Sequence, residues 1–325
     1  MNDFGIVFYV YLFDIIALFF TFPVEGLLLY SLIKYRNSHF ENSFYKLVIN
    51  LSICDLIMNP FELYVTEAAD MRICNDFYRT NATWMGVVQN LGQICLAALH
   101  TVFHMFIAFN RFTAVTFPMR HNKIWQNKNI LILSLILWTI CVLTFIPFFT
   151  VIKFTYSNVA NSDNSTSILF SYINGSEQVQ LVKNAVTFTT LGVIFLIYAY
   201  LIVTLTTKKF KRVLIRMSIA AMIMALGSTL TSCVTLVQRI TSWIPAYPNG
   251  ILTFDWYWVL LKFGYMTRIV LGPWVLIATL SPVRRAMLRF VPFQISRRSM
   301  DSSLEMPSKT RGSDITKTAV TVVTF

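Results

Sequence analysis

Seven apolar stretches, each long enough to cross a bilayer, divide the chain: residues 6–33, 45–67, 85–115, 129–152, 184–206, 214–238 and 256–280. A helical span needs about 20 mostly apolar residues, because each adds only about 1.5 Å of rise. Lipid offers no hydrogen bonds, so runs of this length close their backbone bonds internally, as helices. The expected fold is an all-α membrane protein, a seven-transmembrane helix bundle. Composition supports this at one point. The chain is 56% hydrophobic and 13% charged, against about 25% charged residues in soluble domains.

The basic residues set the expected orientation. Most of the 27 Lys and Arg residues fall in the connections after spans one, three and five and in the C-terminal tail. Lys34, Arg36 and Lys46 flank the first connection. Arg111, Arg120, Lys123 and Lys128 flank the second, and Lys208, Lys209, Lys211, Arg212 and Arg216 the third. The positive-inside rule places this side in the cytoplasm, with the N-terminus outside and the C-terminus cytoplasmic. The sequons at Asn81, Asn164 and Asn174 all fall in connections assigned to the outside, where glycosylation occurs. A fourth match, at Asn50, lies inside span two. The net charge of +12 is spread over short clusters between apolar runs, which argues against a nucleic-acid surface. Residues 1–5 lack a positive region and the apolar run behind them is long, so a first span is expected rather than a cleaved signal.

Four of the five cysteines, Cys54, Cys95, Cys141 and Cys233, lie within apolar runs, and only Cys74 falls in a connection. That pattern is neither a disulfide framework nor a metal motif. After span seven, SPVRRAMLRFVPF alternates Arg284, Arg285 and Arg289 with Met287, Leu288 and Phe290. It is read as a short amphipathic helix on the inner leaflet. The expected domains are a transmembrane unit over 1–293 and a Ser/Thr-rich disordered cytoplasmic tail over 294–325. The last residues, Val323-Thr324-Phe325, have the form of an added strand for a PDZ partner.

Span three carries a polar or small stripe at helical spacing: Asn90, Gln93, Ala97, His100, His104, Ala108 and Arg111. Lipid cannot satisfy these groups, so this face should point into the bundle. Asn90, Gln93, Ala97 and His100 are candidate ligand contacts, with interhelical hydrogen bonding as the plainer reading. His100 and His104 are spaced like two metal ligands without an evident third. Six further ionisable residues lie within spans: Asp14, Glu25, Asp55, Glu62, Lys262 and Arg268. Each is costly at mid-membrane, so pairing is expected. Matching by depth puts Arg268 with Asp55 and Glu25, and Lys262 with Asp14 and Glu62. Lys262 is also a candidate ligand contact; a retinal Schiff base there is disfavoured because the two acids account for it as an ion pair. No hydrolase, nucleotide-binding or zinc-protease motif is present in the sequence, so neither catalysis nor a cofactor is expected.

Several local patterns resemble rhodopsin-like receptors: Leu51-Ser-Ile-Cys-Asp55-Leu56 in span two, Asn110-Arg111-Phe112 at the end of span three, Trp138 with Pro147, and Pro273 in span seven. The departures are marked. Span six lacks CWxP, Gly272-Pro273-Trp274 stands where NPxxY is expected, and the 153–183 connection has no cysteine. The fuller similarity is to nematode serpentine chemoreceptors of the Srg superfamily, classes gamma and V. Its pieces are Asn42-Ser-Phe-Tyr-Lys-Leu47, Asn110-Arg111-Phe112-Thr-Ala-Val115, Phe117-Pro118 and Trp125.

That resemblance implies a small-molecule receptor of sensory neurons, coupled to a heterotrimeric G protein. The ligand would sit between the outer halves of spans three, five, six and seven. Asn110, Arg111, Arg120, Lys208, Lys209, Lys211 and Arg212 would form the coupling surface. Arg111 at the boundary would reach headgroups or a partner, and Asn110 would restrain it less firmly than an acid. The rival reading is a multi-pass transporter or ligand-gated channel, for which six intramembrane charges speak and the absence of an internal repeat speaks against.

Overall fold

The computed structural model describes residues 6–37, 40–68, 74–90, 95–150, 154–160, 166–172, 176–207, 212–241 and 254–289. It is a helical bundle with one small hairpin. The helices are α1 (Ile6–Lys34), α2 (Ser43–Phe61), α3 (Asn75–Thr80), α4 (Ala82–Asn90), α5 (Ala97–Thr116), α6 (Pro118–Ile124) and α7 (Asn127–Thr150). After the strands β1 (Phe154–Ala160) and β2 (Thr166–Tyr172) come α8 (Ser176–Thr207), α9 (Arg212–Thr241), α10 (Phe254–Thr279) and α11 (Ser281–Leu288).

Among the described residues, six helices are long and apolar enough to cross a membrane: α1, α2, α7, α8, α9 and α10. The seventh span of the bundle, α5, is less apolar because it is central. It packs on α2, α8 and α9. His100, Thr101, His104, Asn110, Arg111 and Thr113 are all buried on it. By contrast α7 turns Leu131, Leu135, Ile136, Ile140 and Leu143 outward. A helix facing lipid can be apolar all round, whereas one enclosed by helices can carry polar groups that its neighbours satisfy.

Local chemistry sets several boundaries. The Asn42 side chain caps α2 by accepting from Phe44 N–H at 3.0 Å, as an Asn at a helix start does. Pro60 lies near the other end of α2 and cannot donate to the helical ladder. The chain continues there as a π-helical turn, Glu62–Glu67, the kind of local widening that re-aims side chains. Pro118 sits at the first position of α6, where its missing N–H is harmless.

α9 and α10 pack with their backbones close together. A Cβ on Gly227 would lie 2.6 Å from the Thr267 carbonyl carbon, and one on Gly264 would lie 2.9 Å from Thr231 N. Glycine on each helix lets the two backbones touch. α11 docks on α1 and α10 through Val283, Ala286 and Met287, leaving Arg284, Arg285 and Leu288 exposed. The apolar face expected from Met287 and Leu288 is thus rotated: helical spacing joins positions 283, 286 and 287. Phe290 lies outside the described residues, as does the whole of 294–325 with its tail and PDZ expectations.

The 153–183 connection contains an antiparallel hairpin that pairs Phe154 with Tyr172 and Ala160 with Thr166. A signal for it stands in the sequence. The β-branched and aromatic residues Phe154, Thr155, Tyr156 and Val159, then Thr166, Ile168, Phe170 and Tyr172, flank Asn161-Ser-Asp-Asn-Ser165, a cluster of turn formers.

Candidate functional site

α5 connects two polar regions at opposite ends of its length. The first is a cavity of about 40 Å³ enclosed by α5, α8, α9 and α10. α5 contributes Ala97, Ala98 and Thr101, and α8 contributes Asn184, Thr187 and Phe188. The α9 wall is Ser228, Thr231, Ser232 and Thr235, and Arg268 closes the cavity from α10. The volume holds roughly three water-sized groups, at about 10–15 Å³ each.

Of the ligand contacts expected from sequence, only Ala97 is found on this wall. Asn90 ends α4 and its side chain is not described, and Gln93 lies outside the described residues. His100 and Lys262 face elsewhere. The α9 hydroxyls escaped the sequence reading, although positions 228, 231, 232 and 235 repeat at helical spacing, a signal that could have exposed them.

Behind the cavity lies a buried charge network. His100 Nε2 stands 3.0 Å from Asp55 Oδ1, and the His104 ring packs edge-on against His100 at 4.6 Å between centroids. Arg268 interacts electrostatically with Asp55, and Glu25 lies beside Asp55 and Ser52. Gly272 leaves room here: a Cβ at that position would lie 3.8 Å from Asp55 Oδ2. Further along α10, Lys262 Nζ pairs with Glu62 Oε1 at 3.4 Å and lies over the Tyr11 ring at 5.1 Å. Asp14 is within electrostatic reach of the same lysine. Lys262 therefore belongs to the α1–α2–α10 seam, where the π-helical turn presents Glu62.

The second region is a hydrogen-bonded lattice at the other end of α5. Arg111 is 1% exposed, so in this arrangement its side chain is held inside the bundle rather than reaching out to headgroups or a partner. Its guanidinium donates to Asn110 Oδ1, to Asn42 Oδ1 at 3.4 Å and to Met217 Sδ at 3.5 Å. It also covers the Phe44 ring at 4.6 Å. Asn110 in turn donates to Ser43 Oγ at 2.7 Å. Three elements, α2, α5 and α9, are thus tied by one cation through neutral acceptors. Amide acceptors hold a guanidinium less strongly than a carboxylate would.

Trp125 extends the lattice into α6 by donating to Thr113 Oγ1 at 2.8 Å. The Thr113 hydroxyl donates to the Asn110 carbonyl at 3.0 Å. Hence His121, whose Nδ1 lies 3.0 Å from the same oxygen, is the donor in that contact, and its Nε2 lies 3.3 Å from Ser43 Oγ, a hydroxyl that donates to Asn42 Oδ1 at 3.3 Å. Burial, with the nearby Arg111 charge adding to it, pushes His121 from the ordinary 6.5 down to about 4. Protonation would leave two donors facing Ser43 and Thr113 beside a cation.

The unfolded chain takes up a proton near pH 6.5 and the folded chain only near 4, so stability is complete above 6.5 and falls as pH drops through that window. The His121→Gln variant should lose this slope, as read by thermal unfolding of the purified protein between pH 7 and about 4. An equally steep fall in the variant would assign the titration to another group.

Among the other expected coupling residues, one has a described side chain. Arg120 is exposed. Arg212 begins α9, its side chain not described, and Lys208, Lys209 and Lys211 lie outside the described residues. Asn81, between α3 and α4, donates to the Phe77 carbonyl at 2.9 Å in an exposed setting. Asn164 and Asn174 lie outside the described residues.

A family model for serpentine-type 7TM GPCR chemoreceptors, Srv, matches residues 14–282. Serpentine receptor class V-1 of Caenorhabditis elegans is 32% identical over 153 residues, covering 46% of this chain and 47% of that receptor. Melatonin receptor type 1A of Mus musculus is 27% identical over 135 residues, 40% of this chain and 36% of that receptor. The chain therefore aligns with less than half the length of either relative. Of the two classes left open by the sequence resemblance, the matches fall on class V.

Proposed function

The chain belongs to the Srv family of serpentine seven-transmembrane chemoreceptors, and from that premise we propose that it is a chemosensory receptor acting through a heterotrimeric G protein. A small-molecule cue enters the cavity between α5, α8, α9 and α10. The G protein engages the end that holds Arg111. The observation that carries this reading is the course of α5. Thr101 lines the cavity and Arg111 anchors the lattice, ten residues or about 15 Å further along one helix.

The closed arrangement has Met217 of α9 against Arg111. A ligand that binds better when α9 and α5 separate at that end shifts the population toward an open arrangement, to the extent of its differential affinity. Arg111 then becomes available to the partner, together with Arg120, Lys208, Lys209, Lys211 and Arg212. The basic connections face the cytoplasm on this reading, and the N-terminus, the sequons at Asn81, Asn164 and Asn174, and the hairpin face outward. The receptor resides in the plasma membrane of sensory neurons. It has a transmembrane unit over 1–293, a disordered tail over 294–325 and no catalytic role. A PDZ protein at the C-terminus is a further partner on this reading.

The test is a small-molecule screen on the expressed receptor with G-protein dissociation as readout, repeated on Thr101→Leu. The larger side chain occupies a cavity with space for about three water-sized groups, so an active compound should lose its response. Ligand-evoked current in cells without any G protein would favour the transporter or channel reading instead.

A further inference from the structure

We propose that the exposed basic face where α11 packs on the end of α1 binds an inner-leaflet phospholipid with a multiply phosphorylated headgroup, an inositol bisphosphate lipid. The side of the membrane rests on the orientation in the receptor reading. α1 and α10 run parallel: Asp14 is within reach of Lys262, and further along both helices Trp274 Nε1 donates to Thr21 Oγ1 at 3.3 Å. α10 ends at Thr279, and α11 follows it and packs on both helices with Val283, Ala286 and Met287 buried. α11 therefore lies toward the end of α1 that Lys34 closes.

Helical spacing puts Arg284, Arg285 and Leu288 on the face of α11 away from the bundle, and all are exposed. Lys34 and Arg36 are exposed at the end of α1. No acid occurs within residues 30–37 or 281–288, and basic clusters beside a span or on an amphipathic helix attract anionic lipids. Leu288 is 60% exposed beside the arginines, which suits the acyl boundary better than water. Tyr30, one turn before Lys34, is 52% exposed, and Lys34 Nζ lies 5.4 Å from its ring centre. An exposed aromatic ring under an ammonium marks the headgroup level. Arg284 spends one donor on the Ala278 carbonyl at 3.3 Å, which orients the guanidinium and leaves its other donors. Guanidinium groups grip phosphate through paired N–H bonds. A headgroup with several phosphates can meet all four cations, whereas phosphatidylserine brings one net negative charge.

The experiment uses the full chain in neutral detergent, with phosphatidylinositol bisphosphate, phosphatidylserine and phosphatidylcholine as probes and soluble inositol trisphosphate as competitor. Bound lipid is counted by native mass spectrometry, and folding is read by thermal unfolding. The bisphosphate lipid should bind roughly tenfold or more tighter than phosphatidylserine, and phosphatidylcholine weakest. The paired change Arg36→Gln with Arg285→Gln should weaken the bisphosphate lipid about 20- to 30-fold, since each basic residue at an anionic surface is worth about fivefold. Both side chains are exposed, so the variant should unfold at the wild-type temperature. Arg120→Gln with Lys123→Gln removes the same charge from exposed positions on α6 and should keep affinity within about threefold. The soluble headgroup should compete at least about tenfold less well than the lipid, because it lacks the acyl boundary that Leu288 enters.

Equal binding of the bisphosphate lipid and phosphatidylserine overturns the proposal. So does unchanged affinity in the Arg36–Arg285 variant, an equal loss in the α6 variant, or a soluble headgroup that competes as well as the lipid. The binding readout needs no G protein, which separates this from the receptor reading. Selective lipid binding by a chain that no compound couples to a G protein upholds the surface and sinks the receptor role. Ligand-driven dissociation by a chain without lipid selectivity does the reverse.

Discussion

Exchanging Lys262 for methionine should destabilise the bundle by about 3–5 kcal/mol, the range for removing one partner of a buried ion pair. Glu62 would remain behind, with its side chain only 10% exposed and its 3.4 Å partner gone. Asp14, also buried, would lose the same positive neighbour. The companion change restores much of the loss: Lys262→Met with Glu62→Leu should recover most of the stability, because an apolar pair carries no desolvation cost. Thermal or denaturant unfolding in nanodiscs checks both. A single-variant loss below about 1 kcal/mol would reassign Lys262 to a solvated, weakly coupled position.

The second large effect lies at the α9–α10 contact. Gly227→Val should abolish folded receptor at the cell surface. Even the first added carbon would stand 2.6 Å from the Thr267 carbonyl carbon and 2.5 Å from Arg268 Cα. Both are backbone atoms, so whole helices must part, whereas overpacking a yielding core costs only about 1–3 kcal/mol. Separation there also displaces Arg268 from the cavity. Gly26→Ala is the contrast, since a Cβ at that helical position meets nothing within 4 Å and should be neutral or stabilising by up to about 1 kcal/mol. Surface expression and unfolding temperature report both variants; a well-folded Gly227→Val would mean that α9 and α10 do not touch as described.

The membrane spans were legible because their signal is one-dimensional: length and apolarity along a run. Family motifs were legible for a related reason, and the structure supplies their physical content. Asn42 caps α2 and accepts from Arg111, Pro118 starts α6, and Trp125 ties α6 to Thr113. Rotation between helices was not legible. Ala97 and His100 share a stripe on α5, yet Ala97 lines the cavity and His100 turns to Asp55, because a buried helix is surrounded and its polar stripe can serve several neighbours. Burial of Arg111 was missed for the same reason. A residue near the end of a span looks exposed from sequence, but the start of α2 and Met217 of α9 enclose it. The serines and threonines of α9 are a converse case, since hydroxyls that bond their own helix are common in membrane spans and carry little information until a cavity faces them.

The central claim is that α5 transmits ligand occupancy from the cavity to a G-protein contact at Arg111. Its most direct test measures ligand affinity and ligand-driven G-protein dissociation side by side in wild type and Arg111→Ala. The claim predicts that the variant keeps its affinity within about threefold, since Arg111 is roughly 15 Å from the cavity, and loses dissociation. Full ligand-driven dissociation in Arg111→Ala would contradict it.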